Sequence, residues 1–571
     1  MLKNWRINFI LALIFLAGGL VLFRLFVLQV QNGEEYKALA QGRQTSTNNI
    51  QGERGAIYFI NGEPLALTEK QPYIFISPKE LASENKEKIA EDLEKIINIP
   101  KQDILAKTEN TNSQYEVLKE KLTEEETESV KKLGAKGVYL DYKQARVYPN
   151  NKMAGQLSGY LNKDKKGQYG LEEYYDNILQ EKNLAKQTEN NIWNFFSSQK
   201  NEGSENGESI KLTIDYNIQY MAEKILADKA KEFEYKSGQI IVMEPYTGAI
   251  VAMAQYPLFD PNNYWDEKNF NIFQNDSIQK IFEPGSIFKS ITMAAAINEK
   301  VITPETTYND DKGYIMYGTY KVTNYNEKIW GLVTMTNALE HSINTALMEA
   351  EKRLGHTKFL EYLENFGFFE KTGIDLSGEV ASKNKELEKA IKQNIAVNPA
   401  NVSFGQGIGI NPLHITSAYC AIANGGNLIK PHIVKETDNG IKKQETESKV
   451  IKRVLSAETS NTMKKMLVSV IENGYGHQAK IPGYYIAGKT GTAQIPWTSL
   501  GESKSGYSPQ TWQTFLGFAP AYDPKFVALV KLDNPEAIKT SEYSATPMFH
   551  DLAKYILDYW QIPPDYSTAE E

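Results

Sequence analysis

Glu283-Pro-Gly-Ser286-Ile-Phe-Lys289-Ser-Ile-Thr-Met-Ala-Ala-Ala-Ile297 is the stretch around which the rest of the chain can be read. Pro284-Gly285 is a turn signal, and an apolar run of helix length follows, interrupted by one cation. That places Ser286 at the first turn of a buried helix, where unpaired N–H groups and the positive dipole end favour a developing oxyanion. Lys289, three residues on, projects from the same face. An ammonium among Phe288, Ile291 and Met293 is poorly solvated, which lowers its pKa and makes it a candidate general base for the serine. The pattern alone decides little, because Ser-x-x-Lys also occurs at Ser83, Ser129, Ser197, Ser277 and Ser382. Those five lysines lie in polar or turn-adjacent surroundings, and only Ser286 is backed by an apolar helix.

The chain around this stretch has 571 residues, enough for two to four domains. With 63 basic and 71 acidic side chains its net charge is −8, which argues against a nucleic-acid partner. The single cysteine, Cys420, sits in an apolar run and reads as a small buried hydrophobe. His-Glu-x-x-His, Cys-x-x-Cys and Gly-x-Ser-x-Gly are all missing, so no metal, no cofactor and no hydrolase elbow are expected.

Upstream, Ile7 to Val30 is apolar apart from Asn8, Arg24 and Gln29, and as a helix it spans about 36 Å, enough to cross a bilayer. Lys3 and Arg6 precede it, so the expectation is an uncleaved anchor (7–30) with a cytoplasmic stub (1–6) and everything beyond it outside the cytoplasm. Residues 31–207 are polar and discontinuous and read as a pedestal without a nucleophile–base pair. Arg54 to Ile57 and Asn61-Gly62 suggest a strand and a turn, Glu80 to Ile97 and Thr123 to Leu133 exposed helices, and Arg146 to Pro149 and Gly170 to Tyr175 irregular elements. Asn183 to Glu208 reads as a flexible linker.

From residue 208 to 562 the pattern is that of a second domain. A helix from Asn217 to Phe233, strands Gln239 to Met243 and Ala249 to Ala254 around a Pro/Gly turn, and helices over Leu332 to Leu354 and Ile415 to Ala423 are expected. Three late strands (Tyr484 to Ile495, Thr514 to Phe518, Phe526 to Leu532) and a helix from Met548 to Trp560 follow. The fold class is α+β: a five-stranded antiparallel sheet flanked by helices, with residues 563–571 a disordered tail.

Two further constellations can complete a site with Ser286. Ser342-Ile-Asn344 has two polar groups that diverge on a helix, so both point inward only from a turn. Lys489-Thr490-Gly491-Thr492 lies on an expected strand, where a glycine lets a peptide approach the edge closely. Each has decoys, Ser46-Thr-Asn48 and Lys371-Thr-Gly373 among them. Gly483 to Thr490 also spells a phosphate loop, but a helix must begin at its lysine and the sequence there favours a strand.

In this order, Ser286-x-x-Lys289, Ser342-x-Asn344 and Lys489-Thr-Gly491 resemble the penicillin-recognising serine transpeptidases and β-lactamases. Thr372 to Glu379, Phe404-Gly-Gln-Gly407, Ala423 to Gly426, Gly517 to Pro520 and the pedestal's Arg54-Gly, Arg146-x-Tyr-Pro149 and Gly170-Leu-Glu172 look like class B penicillin-binding proteins. The chain departs from them in Phe59-Ile60, where Asp-Arg is common, and in His414, where glutamine is usual. The resemblance implies a D,D-transpeptidase that cross-links peptidoglycan stem peptides ending in D-Ala-D-Ala and is acylated by β-lactams. It makes Ser286 the nucleophile, Lys289 its base, Ser342 a proton relay, Asn344 a peptide ligand and Lys489 the charged group. Thr490 and Thr492 would hold the terminal carboxylate, and the N–H groups of Ser286 and Thr492 the oxyanion. It further implies the cytoplasmic membrane as location, with a polytopic glycan polymerase and divisome proteins as partners. An elongation-type enzyme, an idle or β-lactam-sensing relative and a β-lactamase are the alternatives; absence of a zinc-protease motif and presence of a pedestal weigh against the last two.

Overall fold

The computed structural model describes residues 5–27, 52–82, 84–180 and 206–567. They fall into two compact units. One comprises Met1–Glu53, Thr68–Val147 and Glu181–Asn206; the other comprises Arg54–Leu67, Tyr148–Gln180 and Gly207–Glu571. The expected boundary at residue 207 is linear and the units are not.

In the smaller unit, Trp5–Phe26 is one 22-residue helix. Among the described residues no helix is long and apolar enough to cross a membrane; the expected span extends to Val30, and Leu28 to Val30 lie outside the described residues. The 68–147 portion has its own core of Ile74, Ile76, Leu93, Ile97, Ile104 and Val130. The single exposed helix expected over Glu80 to Ile97 is two, Pro78–Leu81 and Lys86–Ile97. Asn85 caps the second through Lys88 N–H, and Ala90, Leu93 and Ile97 form its buried stripe. Thr123 and Glu126 form a capping box for Glu124–Leu133. Arg146-Val147 is not irregular but ends the strand Val138–Val147. The expected linker falls almost wholly on residues 181–205, outside the described residues.

The larger unit is built on five strands: β1 (Ser237–Met243), β2 (Ile250–Tyr256), β3 (Ala487–Pro496), β4 (Tyr507–Ala519) and β5 (Phe526–Asp533). Their order is β3-β4-β5-β1-β2, every neighbouring pair antiparallel. Side chains alternate between two cores: Ile240, Val242, Ala528 and Val530 face one, Ile241, Met243, Val527 and Leu529 the other. Covering both faces explains why β1 and β5 read as continuous apolar runs. Helices α1 (Tyr216–Phe233) and α7 (Ala545–Tyr559) contribute to the first core. The second takes in α2 (Lys289–Asn298), α3 (Met335–Glu340), α4 (Asn344–Leu354), α5 (Pro412–Ala423) and α6 (Ala457–Asn473).

The helix expected over Leu332 to Leu354 is instead a strand (Gly331–Thr334) followed by α3 and α4, with a break at 341–343. Gly170 to Tyr175 is helical over Gly170–Tyr174. Buried Glu172 accepts from Arg54 Nε (2.8 Å) and from Tyr148 Oη (3.3 Å), tying two supposed pedestal segments into this unit. Phe59, at the position where the resemblance leads to an expected Asp, is fully buried with its ring edge-on to Tyr216. His414 is buried and donates Nε2–H to Glu370 O (2.6 Å), a structural bond. The tail is ordered at its start, since Asp565 Oδ2 accepts from Tyr485 N–H at 2.8 Å; residues 568–571 lie outside the described residues.

Candidate active site

Ser286 lies on a 3₁₀ turn, Gly285–Phe288, and Lys289 opens α2 directly behind it. In a 3₁₀ turn residues i and i+3 eclipse, so Ser286 and Lys289 share a face more closely than on an α-helix. The turn is pinned on several sides. Gly285 has φ +58°, and its N–H donates to Gly405 O at 3.0 Å. A Cβ on Gly405 would stand 2.1 Å from Gly285 O, which is why Phe404-Gly-Gln-Gly407 carries a glycine there. The fully buried Tyr419 donates its hydroxyl to Ile287 O (2.7 Å) and lies 2.8 Å from Ser290 Oγ. Sequence reasoning missed Tyr419, although it is the one phenol in a fully buried helix.

Lys289 is 0% exposed. Its Nζ donates to Ser342 O (2.6 Å) and Ser342 Oγ (3.0 Å). Burial, and then the charge of Lys489, hold its pKa well below that of an ordinary lysine. Ser342 has φ +55°, in the left-handed region, at the break between α3 and α4. That strained conformation turns both its carbonyl and its hydroxyl toward Lys289. Asn344, first residue of α4, donates Nδ2–H to Thr323 O at 2.8 Å.

Lys489 is likewise 0% exposed, on edge strand β3, with Nζ 3.2 Å from Thr490 O and 3.3 Å from Thr490 Oγ1. Burial lowers its pKa to about 7. Gly491 serves a purpose additional to the expected substrate approach. A Cβ there would meet Thr514 Oγ1 at 2.4 Å and Pro284 O and Ile287 Cγ2 at 3.1 Å, so its absence lets β3 lie against the Ser286 turn. Thr492 Oγ1 donates to Ser541 Oγ (3.1 Å) and accepts Ser541 N–H (3.2 Å). Ser541 is a site residue no sequence motif announced.

Ser286, Ser342, Asn344, Thr490 and Thr492 line one cleft of ≈ 670 Å³, together with Thr323, Trp330, His341, Tyr475 and Ser541. All three motifs thus meet at one place, with their two lysines beneath its floor. His341 stacks on Trp330 at 4.5 Å between ring centres, and burial lowers its pKa. Beside the serine turn, Glu283 accepts from Tyr507 Oη (3.0 Å), and burial raises its carboxyl to about 7. Among the described residues no cluster of His, Cys, Asp and Glu fits a metal ion.

Residues 238–554 match the penicillin binding protein transpeptidase domain, and residues 49–212 match the penicillin-binding protein dimerisation domain. The chain belongs to the class B penicillin-binding proteins. It is 32% identical to stage V sporulation protein D of Bacillus subtilis, over 96% of this chain and 84% of that protein. It is 29% identical to peptidoglycan D,D-transpeptidase FtsI of Buchnera aphidicola, over 98% of this chain and 96% of that one. Among solved structures, penicillin binding protein 3 of Mycobacterium tuberculosis in complex with aztreonam shares the fold, with a TM-score of 0.69 at 24% identity over 90% of this chain and 98% of that one.

Proposed function

We propose that the protein is a serine-type peptidoglycan D,D-transpeptidase in which Ser286 carries the acyl group. The observation that carries this reading is the buried Lys289, its pKa held well below that of an ordinary lysine and its Nζ bonded to Ser342. Neutral Lys289 takes the Ser286 proton as Oγ attacks the carbonyl of the penultimate D-Ala. Ser342 relays a proton to the leaving amine, and the terminal D-Ala departs as the ester forms. An acceptor amine on a neighbouring stem then attacks the ester, forms the new peptide bond and returns the proton to Ser286. Asn344 positions the stem backbone, Thr490 and Thr492 hold its terminal carboxylate near Lys489, and the N–H groups of Ser286 and Thr492 stabilise the oxyanion, worth about 10²–10³ in rate per donor.

β-Lactams acylate the same serine. Fluorescent penicillin followed by peptide mapping tests the reading: the wild type labels at Ser286, and Ser286→Ala does not. Equal labelling of the alanine variant removes Ser286 from the role. The septal wall is the proposed place of action, supported by the Glu-Pro-Gly before Ser286 that resembles division-type members; depletion would give filaments, whereas round cells would indicate elongation. The helix Trp5–Phe26, with Lys3 before it and Arg6 in its first turn, supports a single-pass anchor in the cytoplasmic membrane, with the catalytic unit outside and a polytopic glycan polymerase and other divisome proteins beside it. Release of the full chain from membranes by carbonate would exclude the anchor.

A further inference from the structure

Ser342-Ile-Asn344 owes its shape to residues upstream of it. Helix α4 begins at Asn344 with Ile343 as its cap residue, which carries no side-chain acceptor. A first helical turn has backbone N–H groups with no partner inside the helix. Here the acceptor is supplied from elsewhere: Asn324 Oδ1 accepts Thr345 N–H at 3.1 Å across 21 residues of sequence. Asn324 is 3% exposed, and its Nδ2 donates to Asp310 Oδ2 (2.8 Å) and Lys328 O (3.0 Å). Both Nδ2 partners are acceptors and the Oδ1 partner is a donor, so only one orientation of this amide satisfies all three.

Asp310, 2% exposed, is the hub behind it. Oδ1 accepts from Thr345 Oγ1 (3.1 Å) and Gly313 N–H (3.2 Å), while Oδ2 also accepts Trp330 N–H (3.0 Å). A carboxylate beside the first turn of α4 is favoured by the helix dipole as well. Next in chain to Asn324, Thr323 O receives the Asn344 amide. On the other side of the break, the strand carrying Asp310 (Thr307–Asp310) pairs with Gly331–Thr334, whose last residue, Thr334, caps α3 in a capping box with Asn337. Both helices flanking Ser342 are thereby fixed by the segment 307–334.

We infer that Asp310 and Asn324 are positioning residues for acyl transfer: through Thr345 and Thr323 they set the start of α4, and with it the orientation of Asn344 and the left-handed Ser342 that bonds Lys289. Neither residue touches the reacting atoms. The inference rests on the transpeptidase reading above. No sequence motif marked either residue, because the bonds that join them to each other and to α4 span 14 to 35 positions.

The test is an exchange. Asn324→Asp sets two carboxylates against each other, and Asp310→Asn removes the charge and points an amide at an amide. The pair Asp310→Asn with Asn324→Asp restores one donor and one acceptor between them, while leaving Lys328 O against a carboxylate and Trp330 N–H against an amide NH2. Measured per active site as the single-turnover acylation rate at saturating fluorescent penicillin, each single variant should lose about ten- to a hundredfold. The double variant should lose less than the product of the two single losses, a coupling that independent losses of stability would not produce. Thr345→Val, isosteric and deleting one bond to Asp310, keeps the test open where a carboxylate pair prevents folding, and should slow acylation without changing the labelled fraction. Wild-type rates in the singles and in Thr345→Val, or a double variant whose loss is the full product of its singles' losses, overturn the inference. A wild type that fails to label at Ser286 instead overturns the transpeptidase reading, so the two failures are distinct.

Discussion

Lys-Thr-Gly occurs twice in this chain, at Lys371–Gly373 and Lys489–Gly491, and the copies share nothing but letters. In the first, Lys371 is exposed and outside any strand. Thr372 and Gly373 are spent on a turn: Glu379 accepts from Thr372 N–H (2.7 Å), Thr372 Oγ1 (2.7 Å) and Gly373 N–H (3.1 Å). In the second, Lys489 is fully buried on an edge strand beneath the cleft. The glycines differ in kind. Gly373 is needed for its conformation, φ +75°, with only the Lys430 side chain near its missing Cβ. Gly491 is needed for space, because β3 packs on the serine turn. A motif acquires chemistry from burial and from what it faces.

The comparison breaks most sharply at the lysines. Lys489→Ala removes the buried amine proposed to lie near the substrate carboxylate, and acylation of Ser286 by penicillin should fall by about 10³. Lys371→Ala should stay within about twofold of wild type, as an exposed site far from such features does. Comparable losses in both variants, measured as second-order acylation rate constants, would sink the distinction.

The glycines give a smaller, two-sided contrast. Gly491→Ala forces a Cβ against Thr514 and the Ser286 turn, and should slow acylation by about 10²-fold while the protein stays folded. Gly373→Ala should do the reverse. Its left-handed backbone costs an L-residue about 1–2 kcal/mol, read as a lower unfolding midpoint, while the rate per active site is unchanged. If Gly373→Ala slows acylation as much as Gly491→Ala, space at β3 is not what Gly491 provides.

The same distinction explains what could be read from the sequence. Strands with continuous apolar runs, such as Gln239 to Met243, and the three motifs with apolar helices or strands behind them were legible, because local pattern and burial agree there. The Ser342 break was legible in principle, from two polar groups that cannot share a helix face, yet Leu332 to Leu354 still read as one helix because its apolar residues keep the period. The inclusion of Arg54 and Glu172 in the larger unit was not legible, nor were Tyr419, Ser541 and Asn324. Each acts through partners tens to hundreds of residues away, and a lone polar residue gives no sign of which distant group it will satisfy.

The finest test concerns charge. The resemblance makes Lys489 the charged group of the site, but burial brings it to about 7, so the unliganded enzyme near neutral pH is a mixture of charged and uncharged forms. The protonated fraction falls as pH rises through that value. A step that needs the positive charge therefore loses rate on the alkaline side, while one that needs neutral Lys289 loses rate only on the acid side, below that residue's lowered pKa. The second-order rate constant for acylation, which reports the free enzyme, should bend downward above about pH 7. At saturating substrate the bend should move to higher pH, because a bound carboxylate beside Lys489 favours its charged form. Lys489→Arg, which cannot lose its proton in this range, should flatten the alkaline limb at some cost in maximum rate. An alkaline limb at the same pH in Lys489→Arg and wild type would assign the titration to another group, and Lys489 would then work by shape alone.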